Sequence, residues 1–342
     1  MKRSLFDYKL PAKRIANEPA KPRDSAKLLV YNRTTNQVLH DTFLHLDKYL
    51  KAGDVLIFNN TKVFPARLLG FKESGGKAEI LLLKDLSAGN WEVLIGARNP
   101  KPGLKMLFAG NLIATVLKPT DGKSWIVNFN LQGKQFDQLL LKIGEMPLPP
   151  YIHSTAKQSE LQEQYQTIYA KHQGSAAAPT AGLHFTRRLM SKLARHGVQM
   201  EYVTLHVGLG TFEPVNTENI ENYHIHKEWI KMDKATQNRL LKAKNEGRRL
   251  IAVGTTSVRV LESLWQEEKA KKDLIKETEI FIYPGYKFKA IDGMITNFHL
   301  PKSSLIMLVC AFVGREKTLK LYQLAIKLKY KFFSFGDGMF LS

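Results

Sequence analysis

The stretch Arg249-Leu250-Ile251-Ala252-Val253-Gly254-Thr255-Thr256-Ser257-Val258-Arg259 reads as a strand that runs straight into a helix. Its apolar residues 250–253 are consecutive, not alternating, as in a strand covered on both faces. Gly254 marks a turn, and the hydroxyls at 255–257 are of the kind that opens a helix. That helix is expected to reach Lys269. The same alternation extends outward. Strands are expected at 199–206, 279–283, 294–298 and 332–335. Helices are expected from Thr186 to His196 with Gly197 closing, over 234–245 with Gly247 closing, from Ser303 or Ser304 through Val313, and over 318–329. Nearer the start, 27–32 and 37–41 read as strands joined at Asn36, and Val55-Leu56-Ile57-Phe58 as a buried strand. Strand–helix alternation of this kind defines an α/β protein.

From about Leu68 to about Pro147 the texture changes. Short apolar runs at 78–83, 91–95, 113–117 and 125–129 are separated by Gly75-Gly76, Gly89-Asn90, Pro102-Gly103, Gly110-Asn111 and Asp121-Gly122. Regular short strands with turn signals between them imply an antiparallel β module, with a short helix at 136–143. The expected organisation is a discontinuous α/β body, residues 1–67 and 148–342, with an inserted all-β domain at 68–147.

The chain has 342 residues, with 51 Lys and Arg against 31 Asp and Glu, a formal net charge of +20. A globular body so charged attracts a polyanion, because each neutralised phosphate releases condensed counterions. A uniformly lysine-rich proteome is the competing explanation, since net charge bears on association and not on fold. Cys310 is the single cysteine. It excludes an intrachain disulfide framework or a cysteine-rich metal site and fits a reducing cytoplasm. The segment Met1-Lys2-Arg3-Ser4-Leu5-Phe6-Asp7-Tyr8 does not read as a signal peptide. The longest apolar run, 305–313, falls far short of the ~20 residues of a membrane span. A cytoplasmic location with no membrane association is therefore expected.

Several segments offer chemistry. Gly254 to Arg259 places free N–H groups and a helix dipole at a strand end, where Thr255, Thr256 and Ser257 can add donors and Arg259 a bidentate clamp; a plain helix cap is the alternative. His184 sits in a loop of small residues, Ala178-Pro179-Thr180-Ala181-Gly182-Leu183, and titrates near neutrality, although a lone loop histidine is commonly satisfied by backbone. His206 precedes Gly208-Leu209-Gly210, which lacks the third glycine and the frame of a dinucleotide fingerprint. The glycine-rich turn of a conventional methyltransferase is thus missing. His224 and His226 with Glu228 lack a third ligand at diagnostic spacing, so no metal is expected. His299, beside Lys302, and Asp337 stand at expected strand ends, where α/β proteins place active sites.

Taken in order, Phe6-Asp7-Tyr8-Lys9-Leu10-Pro11, Gly53-Asp54-Val55-Leu56, Asn59-Asn60-Thr61-Lys62-Val63-Phe64-Pro65-Ala66-Arg67-Leu68, Met146-Pro147-Leu148-Pro149-Pro150-Tyr151-Ile152, Tyr165-Gln166-Thr167-Ile168-Tyr169-Ala170, the loop 177–186, and segments 204–215, 252–262, 296–302 and 333–339 resemble one family closely. It is the S-adenosylmethionine:tRNA ribosyltransferase-isomerase family of queuosine biosynthesis, matched over essentially the whole chain. The chain departs from the family pattern at Gln164, where arginine is usual, and at Ile225, Lys331, Phe335 and Gly338.

The resemblance implies a large α/β-barrel-like catalytic domain with an inserted small antiparallel β-barrel, working as a monomer. It implies transfer and isomerisation of the ribosyl moiety of S-adenosylmethionine onto the 7-aminomethyl-7-deazaguanine base at the tRNA wobble position. Epoxyqueuosine-tRNA forms, and adenine and methionine leave. The sulfonium acidifies the neighbouring C5′–H, so the route needs a base, an acid for adenine and a water-poor pocket. For proton transfer the resemblance points to His184, His206 and His299, with Glu213 and Asp337 as alternatives. For substrate binding it points to Thr255, Thr256 and Arg259, with Asn59, Thr61, Arg67, Thr180 and Asn297. The competing readings are a non-catalytic tRNA- or rRNA-binding protein and an atypical S-adenosylmethionine-dependent RNA methyltransferase.

Overall fold

The run Val55-Leu56-Ile57-Phe58 lies at the centre of the largest sheet, and every residue of it is buried. The computed structural model describes residues 1–120, 122–148, 152, 157–208 and 215–342. Its strands are β1 (Lys27–Tyr31), β2 (Val38–Thr42), β3 (Val55–Asn59), β4 (Thr61–Val63), β5 (Arg67–Lys72), β6 (Lys77–Asp85), β7 (Asn90–Ile95), β8 (Lys105–Phe108), β9 (Leu112–Pro119), β10 (Trp125–Phe129), β11 (His172–Ser175), β12 (Gln199–Leu205), β13 (Glu228–Met232), β14 (Leu250–Val253), β15 (Leu274–Thr278), β16 (Gly293–Asn297) and β17 (Gly338–Leu341). Its α-helices are α1 (Gly133–Ile143), α2 (Gln158–Gln164), α3 (Arg187–Arg195), α4 (Lys234–Asn245), α5 (Thr255–Leu264), α6 (Ser304–Val313) and α7 (Arg315–Lys327).

Nine strands pair in the order β15-β13-β12-β3-β14-β16-β17-β1-β2, with β15 and β2 at the edges. The central four, β12, β3, β14 and β16, are parallel. Side chains alternate between two cores: Val55 and Ile57 join one, Leu56 and Phe58 the other. Both faces are covered, which is why residues 55–58 of β3 and all of β14 are apolar. Thr186 caps α3 by accepting from Leu189 N, and Ser303 caps α6 by accepting from Ile306 N, as the sequence predicts.

The second unit is a closed six-strand antiparallel barrel in the order β10-β7-β6-β5-β8-β9. On β6, Ala78, Ile80 and Leu82 point inward, and α1 packs Phe136 and Leu140 into the same core. Gly70 is required where β5 meets β8, since a Cβ there would lie 2.2 Å from the Leu107 carbonyl oxygen. An α/β body with a closed β-barrel is the expected fold class.

Some element expectations fail. Residues 332–335 form a turn, because Phe333 adopts φ 72°, outside the extended region, and the last strand is β17. The strand expected at 279–283 is β15 instead, an edge strand in which only Thr278 is buried, so burial leaves little apolar pattern to read. Helix α5 ends at Leu264, short of Lys269, and α7 begins at Arg315.

Candidate active site

Strands β14 and β16 are parallel neighbours, and their carboxyl ends open into one cavity of about 200 Å³. Gly254 makes the turn out of β14 with φ 88°, and its N–H donates to Ile295 O at 2.7 Å. Helix α5 therefore starts at the cavity wall with no side-chain cap on its first N–H groups. Thr255 and Thr256 line the cavity, and Thr256 Oγ1 is buried with no hydrogen-bond partner. An uncapped helix N-terminus beside an unmet hydroxyl favours an anionic or hydroxyl-bearing ligand.

The facing wall comes from β16 and the loop after it. Asn297 lines the cavity, accepts from Thr180 Oγ1 at 3.1 Å, and donates through Nδ2 to Phe333 O at 3.1 Å and to His184 Nε2 at 3.3 Å. His299 also lines the cavity; Thr296 Oγ1 lies 2.8 Å from its Nε2. The His299 backbone is held twice, its N–H donating to Tyr322 Oη at 3.1 Å and its carbonyl accepting from Tyr8 Oη. Burial pushes the His299 imidazole down to about 3, so it is neutral near pH 7. Residues 177–181, held against the sheet by Ala176 N–H to Val207 O at 3.0 Å, form the third wall, and Leu300, Leu305 and Phe333 contribute apolar surface.

The structure brings Thr180, Thr255, Thr256, Asn297 and His299 together at this cavity. The other sequence candidates lie elsewhere. His184 stands behind the wall, stacked on Phe43 with ring centres 4.0 Å apart; burial pushes it down to about 3, and a bond with the Arg23 backbone partly opposes this. His206 stacks on Trp229 at 4.9 Å, bonds Thr61 Oγ1 at 2.8 Å, and is pushed down to about 4 by burial and then by His172. Asn59 is fully buried and ties β3 to β12 through both the N–H and carbonyl of Leu205. Arg67 pairs with Glu79 at 2.8 Å in the barrel. Asp337 accepts from the N–H groups of Lys27 and Lys331, each at 2.7 Å, which occupies both its oxygens in backbone bonds. Its carboxyl is raised by burial, against the effect of those bonds.

Arg259 differs most from the expected clamp. It points into the body, paired with Glu228, whose other oxygen accepts from Gly208 N at 3.0 Å. At the fifth position of α5 it falls on a buried face of the helix, away from the cavity. Glu228 is thereby committed, and among the described residues no three His, Cys, Asp or Glu side chains gather as a metal site. Glu213 lies outside the described residues. The Gln164 side-chain carbonyl is buried without a partner. Sequence reasoning missed Thr296, Tyr8 and Tyr322, which position His299, and Phe333, whose left-handed backbone no sequence pattern announces.

A cavity at the ends of adjacent parallel strands, with a helix N-terminus on one side and a neutral imidazole on the other, places the molecule among α/β enzymes. The chain belongs to the family described as queuosine biosynthesis protein, whose model matches residues 3–341. It is 51% identical over 344 residues, covering all of both chains, to the S-adenosylmethionine:tRNA ribosyltransferase-isomerase of Thermoanaerobacter sp. (strain X514). It is 50% identical, again over the whole of both chains, to the protein of that name in Carboxydothermus hydrogenoformans. The crystal structure of S-adenosylmethionine tRNA ribosyltransferase from Thermotoga maritima is similar at a TM-score of 0.58 and 34% identity, covering 99% of this chain and all of that one.

Proposed function

We propose that this chain transfers and isomerises the ribosyl moiety of S-adenosylmethionine onto the 7-aminomethyl-7-deazaguanine base at the tRNA wobble position, releasing adenine and methionine. The observation that carries this reading is the cavity, in a chain with full-length kinship to proteins named for that reaction. The uncapped N–H groups of α5 and the Thr256 hydroxyl hold the methionine carboxylate or a ribose hydroxyl. Thr180 and Asn297 set the polar floor, and Leu300, Leu305 and Phe333 exclude water. S-adenosylmethionine supplies the acidified C5′–H.

Of the three candidate histidines, His299 faces the cavity, and its neutral form is the one that accepts a proton. A bound anion beside it raises its basicity by stabilising the imidazolium. His184 acts through Asn297 as a positioning residue. Residues 1–67 and 148–342 serve as the catalytic body and 68–147 as the appended barrel. The protein works as a monomer in the cytoplasm. No helix among the described residues is long and apolar enough to cross a membrane.

The test is mass spectrometry of nucleosides from precursor tRNA after incubation with S-adenosylmethionine. An epoxycyclopentanediol adduct on the aminomethyl group supports the proposal. An unchanged nucleoside favours the binding protein, and a methylated one the methyltransferase.

A further inference from the structure

Five cations converge on one seam beside the cavity. The N-terminal segment and the chain leading to β17 meet in a bridge between Ile15 and Phe332, in which Phe332 N donates to Arg14 O at 2.8 Å and Ala16 N to Phe332 O at 3.2 Å. This bridge brings Lys13 and Arg14 alongside Lys331, whose Nζ donates to Lys13 O at 3.1 Å. Asp337 draws in a fourth cation. Its two oxygens bind the backbone N–H groups of Lys27 and Lys331, so both side chains start from adjacent points. Lys27 Nζ in turn reaches Leu328 O at 3.1 Å, next to Lys329.

No carboxylate forms an ion pair with Lys13, Arg14, Lys27, Lys329 or Lys331 among the described residues. Some other cations, Lys192, Lys231, Arg239 and Arg249 among them, are paired with acids, so it is the clustering of the five that marks the seam. Asp337 lies beside Lys27 and Lys331 and offsets part of their charge, but it is buried, and its two oxygens accept backbone N–H groups and not the lysine ammonium groups. Arg14 carries a further mark: its Nε is buried with no hydrogen-bond partner. Five clustered cations beside a single buried carboxylate still repel one another in the free protein, and a polyanion relieves that repulsion. The seam adjoins the cavity directly, for Lys331 precedes Phe332, and Phe333 and Ser334 are cavity wall.

We propose that this seam is where the phosphate backbone of the tRNA docks, holding the strand on either side of the base that enters the cavity. The inference rests on the proposed reaction for its partner. The barrel is a poorer seat for a polyanion: within residues 68–147 there are ten Lys and Arg against seven Asp and Glu, an excess of three out of the twenty for the whole chain.

The test is equilibrium binding of precursor tRNA across a salt series, with KM for tRNA and for S-adenosylmethionine measured alongside. The triple variant Lys13→Gln, Arg14→Gln, Lys331→Gln is expected to weaken tRNA binding at least about tenfold and to flatten the log–log salt dependence by roughly 2 to 3, at ~0.7–0.9 for each phosphate no longer neutralised. KM for S-adenosylmethionine stays at the wild-type value. Lys101→Gln with Lys105→Gln, on the barrel, leaves every parameter unchanged. If the triple variant does not fold, Lys331→Gln alone is expected to flatten the slope by ~0.7–0.9. Wild-type affinity and slope in the folded variants would overturn the docking surface. Because binding is read apart from turnover, a wild-type protein that binds tRNA through the seam yet makes no product would refute the proposed reaction and leave the seam standing.

Discussion

Thr296 Oγ1 lies 2.8 Å from Nε2 of His299, so a hydroxyl on β16 fixes the tilt of the imidazole that faces the cavity. The other ring nitrogen, Nδ1, has no protein partner among the described residues and is available to substrate. His299→Ala is expected to lower kcat by about 10²- to 10⁴-fold, the range of a positioned proton-transfer group. Thr296→Val, which frees the ring without removing it, is expected to cost up to about 10²-fold, the scale of a small misplacement. Full activity in His299→Ala would remove this residue from the chemistry.

Thr256→Val separates binding from folding. The hydroxyl is buried with no protein partner, so a methyl in its place leaves the fold as stable or more stable. The KM for S-adenosylmethionine is expected to rise about tenfold, the loss of one hydrogen bond of ~1–1.5 kcal/mol. Steady-state kinetics with a parallel thermal melt checks both halves. An unchanged KM would mean that Thr256 does not touch the substrate.

How much of this was legible in sequence follows from where each side chain ends up. The unit 249–259 was readable because two covered faces demand an unbroken apolar strand, and Gly254 marks the turn. Four of the six barrel strands were visible as short apolar runs between turn signals. β5 and β8 were not, since their outward residues Leu69, Phe71 and Leu107 are apolar and blur the alternation. Thr255, Thr256, Thr180, Asn297 and His299 could be nominated, as all follow strand ends or line small-residue loops. The surroundings of Arg259 and Asp337 were not legible, because a charged residue reads alike whether it meets a substrate, a buried glutamate or two backbone N–H groups. Only tertiary contacts separate those cases.

Arg259→Met tests that distinction. Removing the guanidinium leaves Glu228 buried without its cation, which is expected to cost about 3 to 5 kcal/mol of stability. The double variant Arg259→Met with Glu228→Gln is expected to recover much of the loss, since no buried charge then remains. Urea unfolding midpoints of the two variants measure this. A single variant as stable as wild type, with a raised KM for S-adenosylmethionine, would restore Arg259 to the substrate-binding set.

Acid sensitivity follows from three buried histidines. His184 and His299 are pushed down to about 3 and His206 to about 4, against about 6.5 in an unfolded chain. Folded-state values below the unfolded value mean that the unfolded chain binds more protons between those limits. Stability is therefore whole above about pH 6.5 and falls as pH drops toward 4 and 3. Thermal melts from pH 8 to pH 4 are expected to show a falling midpoint below about 6.5, and His206→Phe is expected to reduce the slope. A midpoint constant down to pH 4.5 would contradict the neutral assignment of these rings.

The most direct measurement is identification of the small molecules released when the protein meets precursor tRNA and S-adenosylmethionine. Ribosyl transfer predicts free adenine and free methionine in equal amounts, each matching the modified tRNA formed. S-adenosylhomocysteine, or tRNA bound with no adenine released, would contradict it.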